Sequence, residues 1–279
     1  MTQPHKQIRL ANGMPHPVRK RFGQHFLHDQ AVINRLIDAV HPKAGEHLLE
    51  IGPGRGALTE PLVTSGARLD CVEIDRDLAA SLKDRYASSP LVNIHQQDIL
   101  KFDVNSLIDN GDSGKSLRII GNLPYNISTP VLFYLLRFSQ LIRDMTFMLQ
   151  LEVVQRLTAV CGDRNYGRLG LMVRYYCHTE HLFNVPSAAF SPRPKVSSAI
   201  VRLTPHQDLP LPVKNVGTLD QVLRTAFSQR RKTLRNSLKT LISEAKLQSL
   251  AIDYKKRPET LQLADFVAIS DALDTGAKL

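Results

Sequence analysis

A chain of 279 residues, 43% apolar and 22% charged, has room for one large domain or for a main domain with a smaller one attached. Its 15 Gly and 16 Pro are scattered rather than repeated, which excludes collagen-like, low-complexity and wholly disordered classes. The net charge of +10 is uneven: residues 1–21 carry five basic side chains (Lys6, Arg9, Arg19, Lys20, Arg21) and no acid, and residues 214–260 carry eleven basic and four acidic ones, so a near-neutral body with basic segments at both ends points to a polyanion partner.

In chain order, Asp29 can cap a helix whose apolar positions Val32, Ile33, Leu36, Ile37 and Val40 share a face, with Pro42 and Gly45 ending it. Residues 48–51 read as a strand, 57–64 as a helix, 69–74 as a strand and 77–86 as a helix. Further strands are predicted at 91–95 and 117–120. Thr129 and Pro130, as N-cap and first turn, open a helix over 131–138, and 145–149 is a buried strand. Such alternation predicts a parallel sheet with helices on both faces. Strands at 181–185 and 196–203 flank a Pro-containing loop, and Pro205, Pro210 and Pro212 mark a linker. From Leu219 onward only helical periodicity remains. The expected division is therefore 1–205 and 206–279.

The first strand runs into Glu50-Ile51-Gly52-Pro53-Gly54-Arg55-Gly56, just before a helix. Glycines there let the backbone turn tightly and approach a ligand at the carboxyl end of a strand. The spacing is G-x-G-x-G, not the G-x-G-x-x-G that seats a pyrophosphate. Glu73 ends the second strand, where a carboxylate can accept both ribose hydroxyls, and Asp98 follows the third, placed for an adenine amino group. An adenosine cofactor without a pyrophosphate is favoured, with S-adenosylmethionine the obvious candidate; a solvated strand end is the plainer reading of either acid.

The fourth strand ends in Gly121-Asn122-Leu123-Pro124-Tyr125. An exocyclic adenine amine is a poor nucleophile because its lone pair is delocalised into the ring. Acceptors for its hydrogens, such as the Asn122 side chain and the Leu123 carbonyl, can turn that lone pair toward a methyl sulfonium, while Tyr125 offers a face for the base.

With these residues in view, the chain resembles the ribosomal RNA adenine N6,N6-dimethyltransferase family, and within it the bacterial small-subunit branch. The matching stretches are Arg19-Lys20-Arg21-Phe22-Gly23-Gln24-His25-Phe26-Leu27, the Glu50 to Gly56 turn, Glu73-Ile74-Asp75, Asn122-Leu123-Pro124-Tyr125-Asn126-Ile127-Ser128, Phe190-Ser191-Pro192-Arg193-Pro194-Lys195-Val196, and Gln229-Arg230-Arg231-Lys232-Thr233-Leu234-Arg235-Asn236-Ser237-Leu238. The resemblance implies a Rossmann-like α/β methyltransferase sheet with helices on both faces and a small all-helical C-terminal domain. It implies cofactor contacts at His25, Leu27, Gly52, Glu73, Asp98 and Asn122, with Asn122, Leu123, Tyr125 and Phe190 at the reacting base and Phe190 opposite Tyr125. By residue type alone, His25 and His28 read as surface histidines and Phe190 as a core residue under a Pro-rich loop. Two adjacent adenosines near the 3′ end of 16S rRNA, in a partly assembled 30S particle, are the implied substrate, and the enzyme is expected to be monomeric.

If 219–242 were one helix, Leu223, Phe227, Leu234, Leu238 and Leu241 would share a narrow face, with Arg224, Arg231, Lys232, Arg235 and Lys239 on an adjoining stripe that has no acid in it; a break near Ser228 would keep the cluster. Rival readings are a large-subunit (23S) enzyme of the antibiotic-resistance type and a non-catalytic assembly factor. No secretory apolar stretch, no run of about 18 apolar residues and no C-x-x-C or H-E-x-x-H pattern occurs, so a soluble, cytoplasmic protein without membrane or metal is expected.

Overall fold

A computed structural model describes residues 7–9, 15–17, 24–108, 116–229 and 231–274. Short strands β1 (Gln7–Arg9) and β2 (Pro15–Pro17) pair antiparallel. The basic side chains expected to form an N-terminal arm, with Arg230, lie outside what is described.

Strand β3 (Phe26–Leu27) leads into α1 (Gln30–Val40), where the Asp29 carboxylate accepts from the Ala31 and Val32 amides at 2.9 and 3.1 Å and Ile33, Leu36 and Val40 are buried. Then follow β4 (His47–Ile51), α2 (Thr59–Thr64), β5 (Arg68–Glu73), α3 (Arg76–Arg85), β6 (Val92–Gln96), β7 (Leu117–Asn122), α4 (Ser128–Leu136) and β8 (Ile142–Gln150). Helix α4 begins earlier than the Thr129-Pro130 signal predicts. Its N-cap is Ile127, with no side-chain cap, while the Ser128 hydroxyl donates to the Tyr125 carbonyl and draws Ser128 into the first turn.

Helices α5 (Leu151–Thr158) and α6 (Arg168–Tyr176) precede β9 (Cys177–Val185), β10 (Phe190–Ser191) and β11 (Ser198–Pro205). The seven-stranded sheet has the order β6-β5-β4-β7-β8-β11-β9, parallel from β6 to β8, with β11 antiparallel to β8. The order of connection reverses between β4 and β7, and open α/β sheets bind ligands at the carboxyl ends of strands at such a switch point. The α/β Rossmann-like class expected from the sequence is the one observed.

Two polar clusters tie the sheet together. Arg118, 7% exposed, donates to Glu46 at 2.7 Å, Asp144 at 2.9 Å and the Val40 carbonyl at 2.7 Å, so its burial is compensated by charge and hydrogen bonds. Asp70, 2% exposed on β5, accepts from the Nε2 atoms of His47 on β4 and His95 on β6 at 2.7 and 2.6 Å. Burial opposes its charge, but these two hydrogen bonds and the neighbouring imidazoles overcome that and hold the carboxyl well below the usual carboxylate range. A depressed folded-state pKa adds stability above the unfolded value, near 3.9, that is lost as pH falls. Asp70→Asn is thus expected to cost about 1–3 kcal/mol at pH 7 and to flatten the decline of Tm below about pH 4, which thermal melts across pH will show.

By packing, the chain divides into one unit of residues 1–154 and 180–205 and a second of 155–179 and 206–279. The split expected at 205/206 leaves out the 155–179 segment, which packs with the C-terminal helices. The Arg168 guanidinium meets Asp220 at 2.6 Å, and the Tyr166 hydroxyl donates to the Leu261 carbonyl at 2.9 Å. The second unit also holds α7 (Val216–Phe227), α8 (Leu234–Leu238), α9 (Glu244–Ser249) and α10 (Leu263–Asp274), with the Phe227 ring against Tyr166 and Phe266.

The single helix considered for 219–242 is broken, since α7 ends at Ser228 and α8 begins after Thr233. Nor is the basic stripe free of acid: Arg224 pairs with Asp220 at 2.9 Å and Arg235 with Glu244 at 3.0 Å. Arg231, Lys232 and Lys239 are exposed and have no ion pair among the described residues.

Candidate active site

The carboxyl ends of β4, β5 and β7 form one wall of a cleft, and residues 24–27 form another. The turn after β4 needs its glycines: Gly52, Gly54 and Gly56 have φ of +66°, +59° and +83°, so three left-handed residues fold the backbone back toward β5. The Gly52 amide donates to the Val72 carbonyl at 2.9 Å, and the Gly54 amide to Glu73 Oε2 at 3.0 Å.

Glu73 is 5% exposed, and its Oε1 accepts the Asp75 amide at 2.8 Å. Burial dominates and pushes its carboxyl up to about 7, against the Asp75, Gly54 and Ile74 amides that favour the charge. Glu50, buried one strand away, takes hydrogen bonds from the Thr59 hydroxyl at 2.7 Å and the Cys71 thiol at 3.7 Å, and burial likewise pushes it up to about 7. Asp98 borders the cleft with one oxygen engaged, Oδ1 accepting the Leu100 amide at 3.0 Å as the cap of a short 3₁₀ turn.

Asn122, at the end of β7, donates from Nδ2 to the His25 carbonyl at 3.0 Å. A carbonyl only accepts, so this bond sets the amide orientation. Oδ1 has no partner among the described residues. Leu123 is buried, its amide donating to the Met148 carbonyl at 3.2 Å, which fixes the turn against β8. The Tyr125 hydroxyl is hydrogen-bonded to Ser198 at 2.7 Å, and burial raises its pKa.

His25, Leu27, Gly52, Glu73, Asp98, Asn122, Leu123 and Tyr125 thus line one cleft. Phe190 does not: it is 3% exposed, packed in the core, and paired through β10 with Leu27 on β3. The ring stacked on Tyr125 is instead His25, at 5.6 Å between centroids and 29° between planes, with its Nδ1 donating to the Pro192 carbonyl at 2.7 Å. Sequence reasoning missed this three-way role of His25, and it missed Ser198, whose meaning depends on a tyrosine 73 positions away.

A doubly wound sheet with a glycine turn, a buried acid on the next strand and an Asn-Leu-Pro-Tyr turn at the switch point has the build of an amine methyltransferase. The chain belongs to the ribosomal RNA adenine dimethylase family, whose model matches residues 16–275. It is 55% identical over 258 residues to ribosomal RNA small subunit methyltransferase A of Pseudomonas putida, covering 92% of this chain and 96% of that one. A dimethyladenosine transferase from Plasmodium falciparum superposes with a TM-score of 0.71 at 26% identity, covering 88% of this chain and 96% of that one. A 23S rRNA methyltransferase superposes at 0.67 and 24% identity over 89% and 99%, a likeness of fold. The family resemblance read from the motifs is borne out, and with it an enzyme that dimethylates adenine in ribosomal RNA.

Proposed function

We propose that the chain transfers methyl groups from S-adenosylmethionine to N6 of two adjacent adenosines in a hairpin near the 3′ end of 16S rRNA, giving N6,N6-dimethyladenosine. It acts as a monomer on a partly assembled 30S particle in the cytoplasm. One observation carries the reading: Asn122, oriented by the His25 carbonyl, stands at the switch point beside the glycine turn and buried Glu73. No helix among the described residues is long and apolar enough to cross a membrane.

The cleft suits this cofactor. Glu73 accepts the Gly54 and Asp75 amides, one on each oxygen, and a carboxylate oxygen has more than one acceptor position, so both can also receive a ribose hydroxyl. Asp98 keeps one oxygen for an adenine amine, and the left-handed glycines let the Gly52 backbone lie close to the ligand. Leu27 supplies an apolar wall. S-adenosylmethionine, when bound, supplies an electrophilic methyl group on a sulfonium.

Asn122 Oδ1 and the Leu123 carbonyl would accept the amine hydrogens and so aim the nitrogen lone pair. Positioning and electrostatics carry the rate, so no strong base is needed. Tyr125, clamped at its hydroxyl by Ser198, is a rigid face for a base taken out of its stack. Phe190 acts from beneath, holding Leu27 and the cleft edge through β3.

The unit of residues 155–179 and 206–279 serves as the docking domain, with Arg231, Lys232 and Lys239 against phosphate. Exchanging Arg231 and Lys232 together for glutamate is expected to weaken particle binding at least tenfold and to flatten its salt dependence, as read by sedimentation at several salt concentrations. The large-subunit alternative is not favoured, since likeness at 24% identity supports the fold alone. To test the function, labelled S-adenosylmethionine is supplied with small subunits lacking the modification, and the product is mapped by mass spectrometry. Dimethyladenosine at the paired site is expected; label confined to large-subunit RNA would overturn the assignment.

A further inference from the structure

An open groove adjoins the catalytic cleft, sharing Phe26, Leu27, Arg55 and Ala57 with it and running on to Arg85 and Ser191. Arg85 crosses the glycine turn, its Nη1 donating to the Arg55 carbonyl at 3.4 Å and lying close over Gly56, where a Cβ would sit 3.1 Å from that nitrogen. The Arg55 guanidinium lies over the Phe26 ring at 5.5 Å and that of Arg85 over Tyr86 at 6.0 Å.

Neither arginine has a carboxylate within ion-pair distance among the described residues. Residues 1–23 contain no acid that could supply one. Glu60, which borders the groove, is occupied with the Tyr86 hydroxyl at 2.7 Å. Among the described residues Arg118, Arg143, Arg168, Arg224 and Arg235 meet acids while Arg35, Arg137, Arg174 and Arg193 do not, so what distinguishes Arg55 and Arg85 is that both line one groove beside the catalytic cleft. Two like charges held at a cleft mouth with no carboxylate in ion-pair contact, the groove's one acid among the described residues, Glu60, being turned to Tyr86, form a seat for an anion.

We propose that Arg55 and Arg85 hold a phosphodiester of the substrate RNA strand where it leaves the catalytic cleft. A base drawn out of its stack needs the backbone beside it pinned, and a cationic path ending on an aromatic ring is how single strands are held without sequence reading. The proposal rests on the RNA-methyltransferase reading above and adds a second grip, next to the chemistry, to the basic C-terminal surface.

The test compares wild type with Arg85→Gln, Arg55→Gln and the double variant on unmodified small subunits. It measures particle binding by sedimentation at several salt concentrations, then KM for particles and for S-adenosylmethionine separately. Expected are a three- to tenfold weaker particle affinity for each single variant and a salt slope shallower by about 0.7 for each lost contact, with Arg85→Lys retaining the slope. KM for the cofactor does not move in Arg85→Gln. Unchanged affinity and slope in the double variant would overturn the proposal. A rise in cofactor KM alone would also overturn it, assigning the guanidiniums to a carboxylate of the cofactor. Binding is read without turnover, so failure of the wild type to methylate would sink the functional reading and leave the arginine result to stand separately.

Discussion

Asn122→Ala is expected to reduce methyl transfer by about 10²–10³ in the single-turnover rate while particle binding stays within about threefold of wild type. The amide has two jobs at once. Its NH₂ holds the His25 carbonyl, which leaves Oδ1 as the acceptor turned to the cleft. The strand end carrying it is held tightly, for a Cβ at neighbouring Gly121 would come within 2.7 Å of the Ile51 carbonyl. Alanine removes the acceptor and leaves the amine lone pair in conjugation with the ring, so the loss falls on the chemical step. Asn122→Asp is the sharper comparison. It keeps an acceptor but sets a carboxylate oxygen against the His25 carbonyl, so it should also lose the ordered 24–27 wall and bind cofactor more weakly. Rapid-quench transfer with labelled cofactor, beside sedimentation binding, separates the two. A rate for Asn122→Ala within about threefold of wild type would remove Asn122 from the mechanism.

How much of this site can be read from sequence depends on how local its causes are. The strand-to-helix alternation, the left-handed glycine turn and the strand-end acids follow from patterns a few residues long, and β4, β5, β7 and their turns stand where those patterns put them. His25 is different. Its role comes from partners 97 and 167 positions away, and no spacing rule links a histidine before β3 to the Asn122 amide or the Pro192 carbonyl. Phe190 shows the same limit from the other side, since a motif aligns it with the base while pairing through β10 buries it in the core. The C-terminal stripe assumed unbroken helical geometry, and the break after α7, together with Asp220 and Glu244 folding back onto Arg224 and Arg235, removed two of its five charges from the free surface. Helix α6 and the second half of α5, left unassigned by the sequence reading, group by tertiary contact with the C-terminal helices, while residues 151–154 of α5 stay with the unit that holds the sheet.

Glu73 should make cofactor binding depend on pH, in a direction its burial determines. Burial pushes its carboxyl up to about 7, outweighing the Asp75, Gly54 and Ile74 amides. Ribose hydroxyls donate to the ionised form, so binding lowers that pKa and expels the proton. Affinity therefore rises with pH through about 7 and is flat above it. Kd at pH 6 should be about tenfold higher than at pH 8, one pKa unit corresponding to about 1.4 kcal/mol. Titration calorimetry in buffers of different ionisation enthalpy should find close to one proton released per cofactor at pH 6 and almost none at pH 8. Glu50 also titrates near 7, and Glu73→Gln tells the two apart. That variant should bind the cofactor about 10²-fold more weakly, from the loss of two hydrogen bonds to a charged acceptor, and should show no pH dependence between 6 and 8. A retained tenfold change in Glu73→Gln would move the proton to Glu50, and a flat profile in the wild type would mean that the ribose hydroxyls do not reach Glu73 at all.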